Sequence, residues 1–176
     1  MTDIRQADVA DAIRIAALHI ASWQAAYRNE LPASFLALLD PGQGTADWAA
    51  RIASRKIAVL LIENASDLLG FCAHGWTEDH DAQPHTWEIT NLHVRPDLRR
   101  AGIGGRLFDA ALAGAISAEA RCLMLWVVET NQSARRFYEQ KGMQLEAGSH
   151  KGHSLAPGVL LHEVRYTLAL PASKPE

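Results

Sequence analysis

The segment Arg99-Arg100-Ala101-Gly102-Ile103-Gly104 holds the residue types that cradle a phosphate. Two glycines let the backbone come close to a bulky anion because no Cβ intervenes, and two adjacent arginines add charge that does not titrate at physiological pH. Such a turn acts only where a strand feeds a helix, because the first N–H groups of a helix lack intrahelical partners and converge on one point. A strand ending at Val94 or Arg95, a tight connection through Pro96 and a helix opening near Gly102 would provide that setting. A Rossmann fingerprint would need glycine where Leu107 stands, and a P-loop would need Gly-Lys-Ser/Thr, which is absent. Both of those nucleotide folds are excluded.

Asp8 reads as an N-cap for a helix over about 9–27, with Ile13, Ala17, Ile20, Gln24 and Tyr27 as its apolar stripe. Pro32 opens a short second helix carrying Phe35, Leu36, Leu38 and Leu39, which Asp40-Pro41-Gly42 ends, and residues 46–54 form one or two more helical turns. Ile57–Ile62 and Leu68–Trp76 predict a hairpin of two buried strands around turn chemistry at 64–67. A polar loop over 77–85 leads to a strand from Thr86 to Val94, where Ile89 falls on one parity and Leu92 and Val94 on the other. Either a β-bulge near Thr90 and Asn91 or burial on both faces explains this. A helix with Ile103, Leu107, Ala110, Ala111 and Gly114 inward follows the glycine turn. Then come a strand over 122–128, a helix over 131–140 stopped by Gly142, and strands near 143–147 and 159–168. The class is mixed α+β in one domain, 1–170, with a frayed tail over 171–176.

The run from Leu92 to Leu107, with Arg99, Gly102 and Gly104 in the pattern Gln/Arg-x-x-Gly-x-Gly/Ala, resembles the acetyl-CoA signature of the GCN5-related N-acetyltransferase (GNAT) superfamily. Asn131-Gln132-Ser133-Ala134-Arg135-Arg136-Phe137-Tyr138, followed by Gly142, is similar to the second motif of that family, with Met143 where phenylalanine is usual. The resemblance covers roughly residues 3–168. It implies a three-layer fold, in which helices flank a mostly antiparallel central sheet of about six or seven strands with two splayed central members and a β-bulge.

It also implies roles. Backbone groups of Leu92 and Val94 would bond the pantetheine arm of acetyl-CoA like an added strand. Arg99, Arg100, Gly102, Gly104 and Gly105 would hold the pyrophosphate, with Asn131 and Ala134 on the other side of the cofactor. Attack of an amine on a thioester needs a base, an oxyanion donor and an acid for the departing thiolate. Tyr138 is the candidate acid, Glu88 the leading base through a relayed water, and Glu129 its reserve. Trp23, Tyr27 and Trp126 are candidate walls for a small primary amine, which aromatic faces would suit by cation–π contact. A non-catalytic CoA-binding module and a protein or peptide N-acetyltransferase are the alternatives, the second requiring an open groove near the 80–85 and 150–157 loops.

A net charge of −3 and a pI near 6.2 argue against a nucleic-acid partner bound through a basic face. No apolar run reaches the length of a membrane span, and the first residues lack a signal-peptide layout, so the expected compartment is the cytoplasm. Cys72 and Cys122 read as reduced, buried thiols. The eight histidines show no ligand spacing, so no metal is expected. Pairing of two copies through the C-terminal strands would be an ordinary assembly.

Overall fold

The computed structural model describes residues 3–65 and 67–171; the predicted frayed tail beyond Pro171 lies outside them. Seven strands order as β1-β2-β3-β4-β5-β7-β6: β1 (Asp3–Gln6), β2 (Ile57–Glu63), β3 (Leu68–Trp76), β4 (Thr86–Val94), β5 (Cys122–Val128), β6 (Gln144–Ala156) and β7 (Val159–Ala169). The helices are α1 (Ala12–Ala26), α2 (Ala33–Ala37), α3 (Pro41–Ser54), α4 (Ile103–Ser117) and α5 (Gln132–Gln140). The β4–β5 pair is parallel, while β1–β2, β2–β3, β5–β7 and β6–β7 are antiparallel. The expected mixed sheet flanked by helices is thus present, and β1 adds a strand that the sequence reading does not contain.

The described residues fall into two compact units, one up to Gly75 together with 90–113, the other 76–89 together with those from 114 onward. In the first, the core comprises Ala12, Ile15, Ala16, Leu18, Trp48, Val59, Leu61, Leu68, Phe71 and Ala73. This corrects the stripe expected on α1. Ile13 is 63% exposed, and the buried face runs instead through Ala12, Ile15, Ala16, Leu18 and Ser22. The helix is apolar nearly all round, so its period alone does not identify the inward face. Asp40 also corrects an expectation. Its carboxylate accepts from the Gly42 and Gln43 amides, so Asp40-Pro41 opens α3, which runs unbroken to Ser54.

Asp8 caps a 3-10 turn at Val9–Asp11 ahead of α1, in a reciprocal capping box with Asp11. Asp11 also takes two hydrogen bonds from Arg5 of β1, at 2.7 and 2.8 Å, and Glu63 of β2 accepts from Arg5 and Arg14. The β3–β4 ends are tied by the Thr77 amide to the Thr86 carbonyl and by the Arg95 amide to the Leu69 carbonyl. Between these bonds β3 advances eight residues and β4 nine, so β4 carries the one surplus residue of a β-bulge. The parity break in the sequence has this cause. Thr90 turns its hydroxyl toward the Ala73 carbonyl at 3.4 Å.

In the second unit β5 pairs with β7 along its whole length, from Cys122↔Ala169 to Val128↔Glu163. Strand β6 reaches Ala156, so residues 150–156 expected in a loop form a hairpin arm with β7. Between Leu145 and His150 the β6 strand holds three residues more than β7 does between Tyr166 and Val164. Ser149 fastens that surplus: its hydroxyl donates to the Glu146 carbonyl at 2.7 Å and accepts the Arg165 amide at 3.0 Å.

Candidate active site

In the first unit, β4 runs through half-buried Leu92 and Val94 into a 3-10 turn at Pro96–Leu98 and then α4. Arg100 and Gly102 both take left-handed backbone angles, φ 67° and 79°, and the Arg106 amide donates to the Gly102 carbonyl at 3.1 Å, which sets the first helical bond. The amides of Ile103, Gly104 and Gly105 therefore stand in the first turn of a fifteen-residue helix, where no carbonyl of the helix can reach them. A Cβ built on Gly102 would meet nothing within 4 Å. The positive φ favours glycine here, and exposed Arg99 and Arg100 stand next to the turn. Arg95 is engaged elsewhere, bonded to Asp97 at 2.8 and 2.7 Å.

Trp23 sits on α1 and Tyr27 at its C-cap in the same unit, edge to face at 5.1 Å. A buried polar cluster lies beside them. Trp48 Nε1 donates to His19 Nδ1 at 3.4 Å, which places the neutral His19 proton on Nε2. His93 Nδ1 meets the Ser22 hydroxyl at 3.0 Å. Burial pushes His19 down to about 4 and holds His93 well below the ordinary histidine value, so both rings are neutral.

The second unit contains Glu88, Tyr138, Asn131, Ala134 and Trp126. The parallel β4–β5 ladder pairs Thr86 with Cys122, Trp87 with Leu123 and Glu88 with Met124, so Glu88 stands at its last pair. Glu88 Oε2 accepts from the Thr77 hydroxyl at 2.7 Å. Burial raises the Glu88 pKa above the ordinary carboxylate value; Asp79 and Glu163 add to the rise, while Thr77 and Lys151 oppose it. Asp79 accepts from Trp126 Nε1 at 2.9 Å and lies 3.8 Å from an Arg165 nitrogen. Burial alone would raise Asp79 too, but the Trp126 N–H, the Asp81 amide, Lys151 and Arg165 outweigh it and hold Asp79 ionised. Arg165, 8% exposed, is bonded through two nitrogens to Glu146.

Trp126 is accordingly not a bare aromatic wall. The Lys151 ammonium and the Arg165 guanidinium lie 5.3 and 5.2 Å from its ring centre. Asn131 uses its carbonyl oxygen to cap α5, accepting from the Ala134 amide at 3.1 Å. Tyr138 is buried, its ring 5.2 Å from that of Phe137, and Met143 fills its position as a 2% exposed core side chain. Glu129 holds Arg135 through its backbone carbonyl at 3.0 Å. Cys72 is buried, but Cys122 is only half-buried, which corrects the expectation of two buried thiols; both are free. No group of three potential metal ligands occurs among the described residues.

A family model described as the acetyltransferase (GNAT) family matches residues 18–143. The chain belongs to the GNAT acetyltransferase family. An uncharacterized N-acetyltransferase of Bacillus subtilis (strain 168), YhfO, is 30% identical to this GNAT protein over 146 residues, 83% of this chain and 92% of its own. The PaiA N-acetyltransferase of Thermoplasma acidophilum, solved in complex with coenzyme A, shares the fold with a TM-score of 0.74 at 15% identity, over 97% of this chain and 99% of that one. A GCN5-related N-acetyltransferase of Rhodopseudomonas palustris does so with a TM-score of 0.76 at 21% identity, over 97% and 96%. The GNAT membership makes this chain an acetyltransferase. Thr77, Asp79, Glu146, Lys151 and Arg165 form the polar surroundings of Glu88 and Trp126 that sequence reading misses; only the short Thr-x-Asp pairing opening the 77–85 loop could have signalled two of them.

Proposed function

We propose that this enzyme moves the acetyl group of acetyl-CoA to the primary amine of a small molecule. The observation that carries the reading is Glu88: a half-buried carboxylate at the last pair of the β4–β5 ladder, bonded by Thr77, on the strand that runs into the glycine turn. The amides of Ile103, Gly104 and Gly105 bind the pyrophosphate with Arg99 and Arg100, and the backbone of Leu92 and Val94 receives the pantetheine arm. The acceptor nitrogen attacks the thioester carbon; a C–N bond forms, the C–S bond breaks, and the amine proton passes to Glu88 through water. Tyr138 gives its proton to the departing thiolate, so the products are an acetamide and CoA thiol.

Several features favour a small acceptor over a protein. Asp79 pins the start of the 77–85 loop onto Trp126, Arg165 and Lys151 cover that ring, and residues 150–156 are strand. These walls suit a closed pocket. The test is amine-dependent thiol release across a panel of small amines and peptides. Glu88→Gln is expected to lower kcat by about 10²–10⁴-fold, and Tyr138→Phe to lower kcat with KM for the amine little changed. Undiminished turnover in both variants, or transfer to peptides alone, would reject the assignment.

A further inference from the structure

Glu88 has one oxygen, Oε2, committed to the Thr77 hydroxyl at 2.7 Å. A threonine hydroxyl rotates, and it can donate to a carboxylate or accept from another donor. Here the Asp79 amide donates to Thr77 Oγ1 at 3.0 Å. That occupies an acceptor position on the hydroxyl oxygen and leaves its single proton to point at Glu88. The loop bearing both residues is fixed in turn, since Asp79 Oδ2 accepts from Trp126 Nε1 at 2.9 Å and the Asp81 amide donates to Asp79 Oδ1 at 3.2 Å. Among the described residues Glu88 Oε1 has no hydrogen bond of its own.

We infer that Thr77 is a positioning residue for acyl transfer: held by the Asp79 amide, its hydroxyl clamps Glu88 through Oε2 and turns Oε1 toward the acceptor proton. The inference rests on Glu88 as the base. The charged groups that face this carboxylate are Asp79 from the same loop, Lys151 from β6 and Glu163 from β7, with uncharged Met124 beside it on β5. Burial, Asp79 and Glu163 favour the protonated acid; Thr77 and Lys151 favour the carboxylate. Thr77 therefore serves both aim and ionisation, keeping the base deprotonated at a pH where its burial would otherwise neutralise it.

The experiment is the pH profile of kcat/KM for amine-dependent thiol release by the full chain, in wild type, Thr77→Val, Thr77→Ser and Glu88→Gln. Thr77→Val keeps the shape and removes the donor. It is expected to move the acid limb up by about one pH unit, the size set by losing one hydrogen bond to a carboxylate, and to lower the plateau several-fold at unchanged KM for acetyl-CoA. Thr77→Ser should restore both the limb and the plateau. If Thr77→Val does not fold, the same shift is read in Thr77→Ala, or by carbon-13 NMR titration of the Glu88 carboxyl. A limb that stays put in the valine or alanine variant, or a loss that serine does not rescue, overturns the role of Thr77 while leaving Glu88 as base. An acid limb and full activity retained in Glu88→Gln overturn the base assignment itself.

Discussion

As the proposed base, Glu88 would serve chemistry against stability. A carboxyl whose pKa is raised on folding is better tolerated protonated than ionised, so its contribution is most favourable below the unfolded-state pKa and is lost as pH rises through the folded value. Replacing it by the neutral amide should therefore separate two properties. Glu88→Gln is expected to unfold at the same or a higher temperature than wild type at pH 8, by scanning calorimetry, while its turnover collapses. Catalysis in the wild type should fall as acid protonates the base, at a pH above the ordinary range for glutamate. Tyr138 and Trp126 make a related point. Tyr138 packs its ring beside Phe137, and Trp126 carries two cations of the chain over its own ring.

Among the elements, glycines distinguish steric from conformational need. A Cβ on Gly70 of β3 would lie 2.9 Å from the His93 carbonyl oxygen and 3.0 and 3.2 Å from Leu107 and Ile103 of α4. The carbonyl belongs to a strand and cannot yield, so Gly70→Ala is expected to cost about 1–3 kcal/mol in denaturant unfolding. Gly102→Ala meets no atom but forces a positive φ; it should cost about 1 kcal/mol and show its main loss in CoA affinity by calorimetry. The Arg5, Asp11, Arg14 and Glu63 network joins β1, the first 3-10 turn, α1 and β2. The hydrogen bond from Arg5 holds both carboxyls below their ordinary pKa, so this stabilisation is present above the unfolded-state values and disappears as pH falls through the folded ones. With the arginines more than a third exposed, Asp11→Asn should cost about 1–2 kcal/mol at pH 7 and less in acid.

The same scale shows what a sequence can disclose. The glycine turn and the Asn131–Tyr138 motif are runs of consecutive residues whose strand and helix contexts are set locally, so they could be read directly. The surplus residue of β4 left its trace as broken parity. The inward face of α1 was illegible because Ile13 is as apolar as the residues truly buried, and Asp40-Pro41 serves equally as a stop and as a start. Thr77, Asp79, Glu146, Lys151 and Arg165 lie on a loop and on two strands distant in the chain, and only the β5–β7–β6 register brings their side chains to one face.

For the whole molecule, the buried histidines govern behaviour in mild acid. His19, His74 and His93 all have pKa values lowered by burial, His19 to about 4. A histidine depressed on folding stays neutral in the native state while the unfolded chain takes up a proton below about pH 6.5. Stability should therefore decline as pH falls below about 6.5, with His19 alone adding a slope approaching about 1.4 kcal/mol per pH unit toward pH 4. Equilibrium unfolding at pH 7.0, 6.0 and 5.0 measures this, and His19→Gln should flatten the curve.

The three-pair β4–β5 ladder has a consequence for how the chain reaches its native state. Ala156 and Val159 close the β6–β7 hairpin across two residues, a contact that forms on the microsecond scale. Thr86 meets Cys122 only after the glycine turn and all of α4 have been traversed, and a parallel pairing of that span must close a long loop before any bond offsets the entropy. The hairpin is thus expected early on the folding pathway and the short parallel ladder late, which makes the alignment of Glu88 one of the last native features to appear.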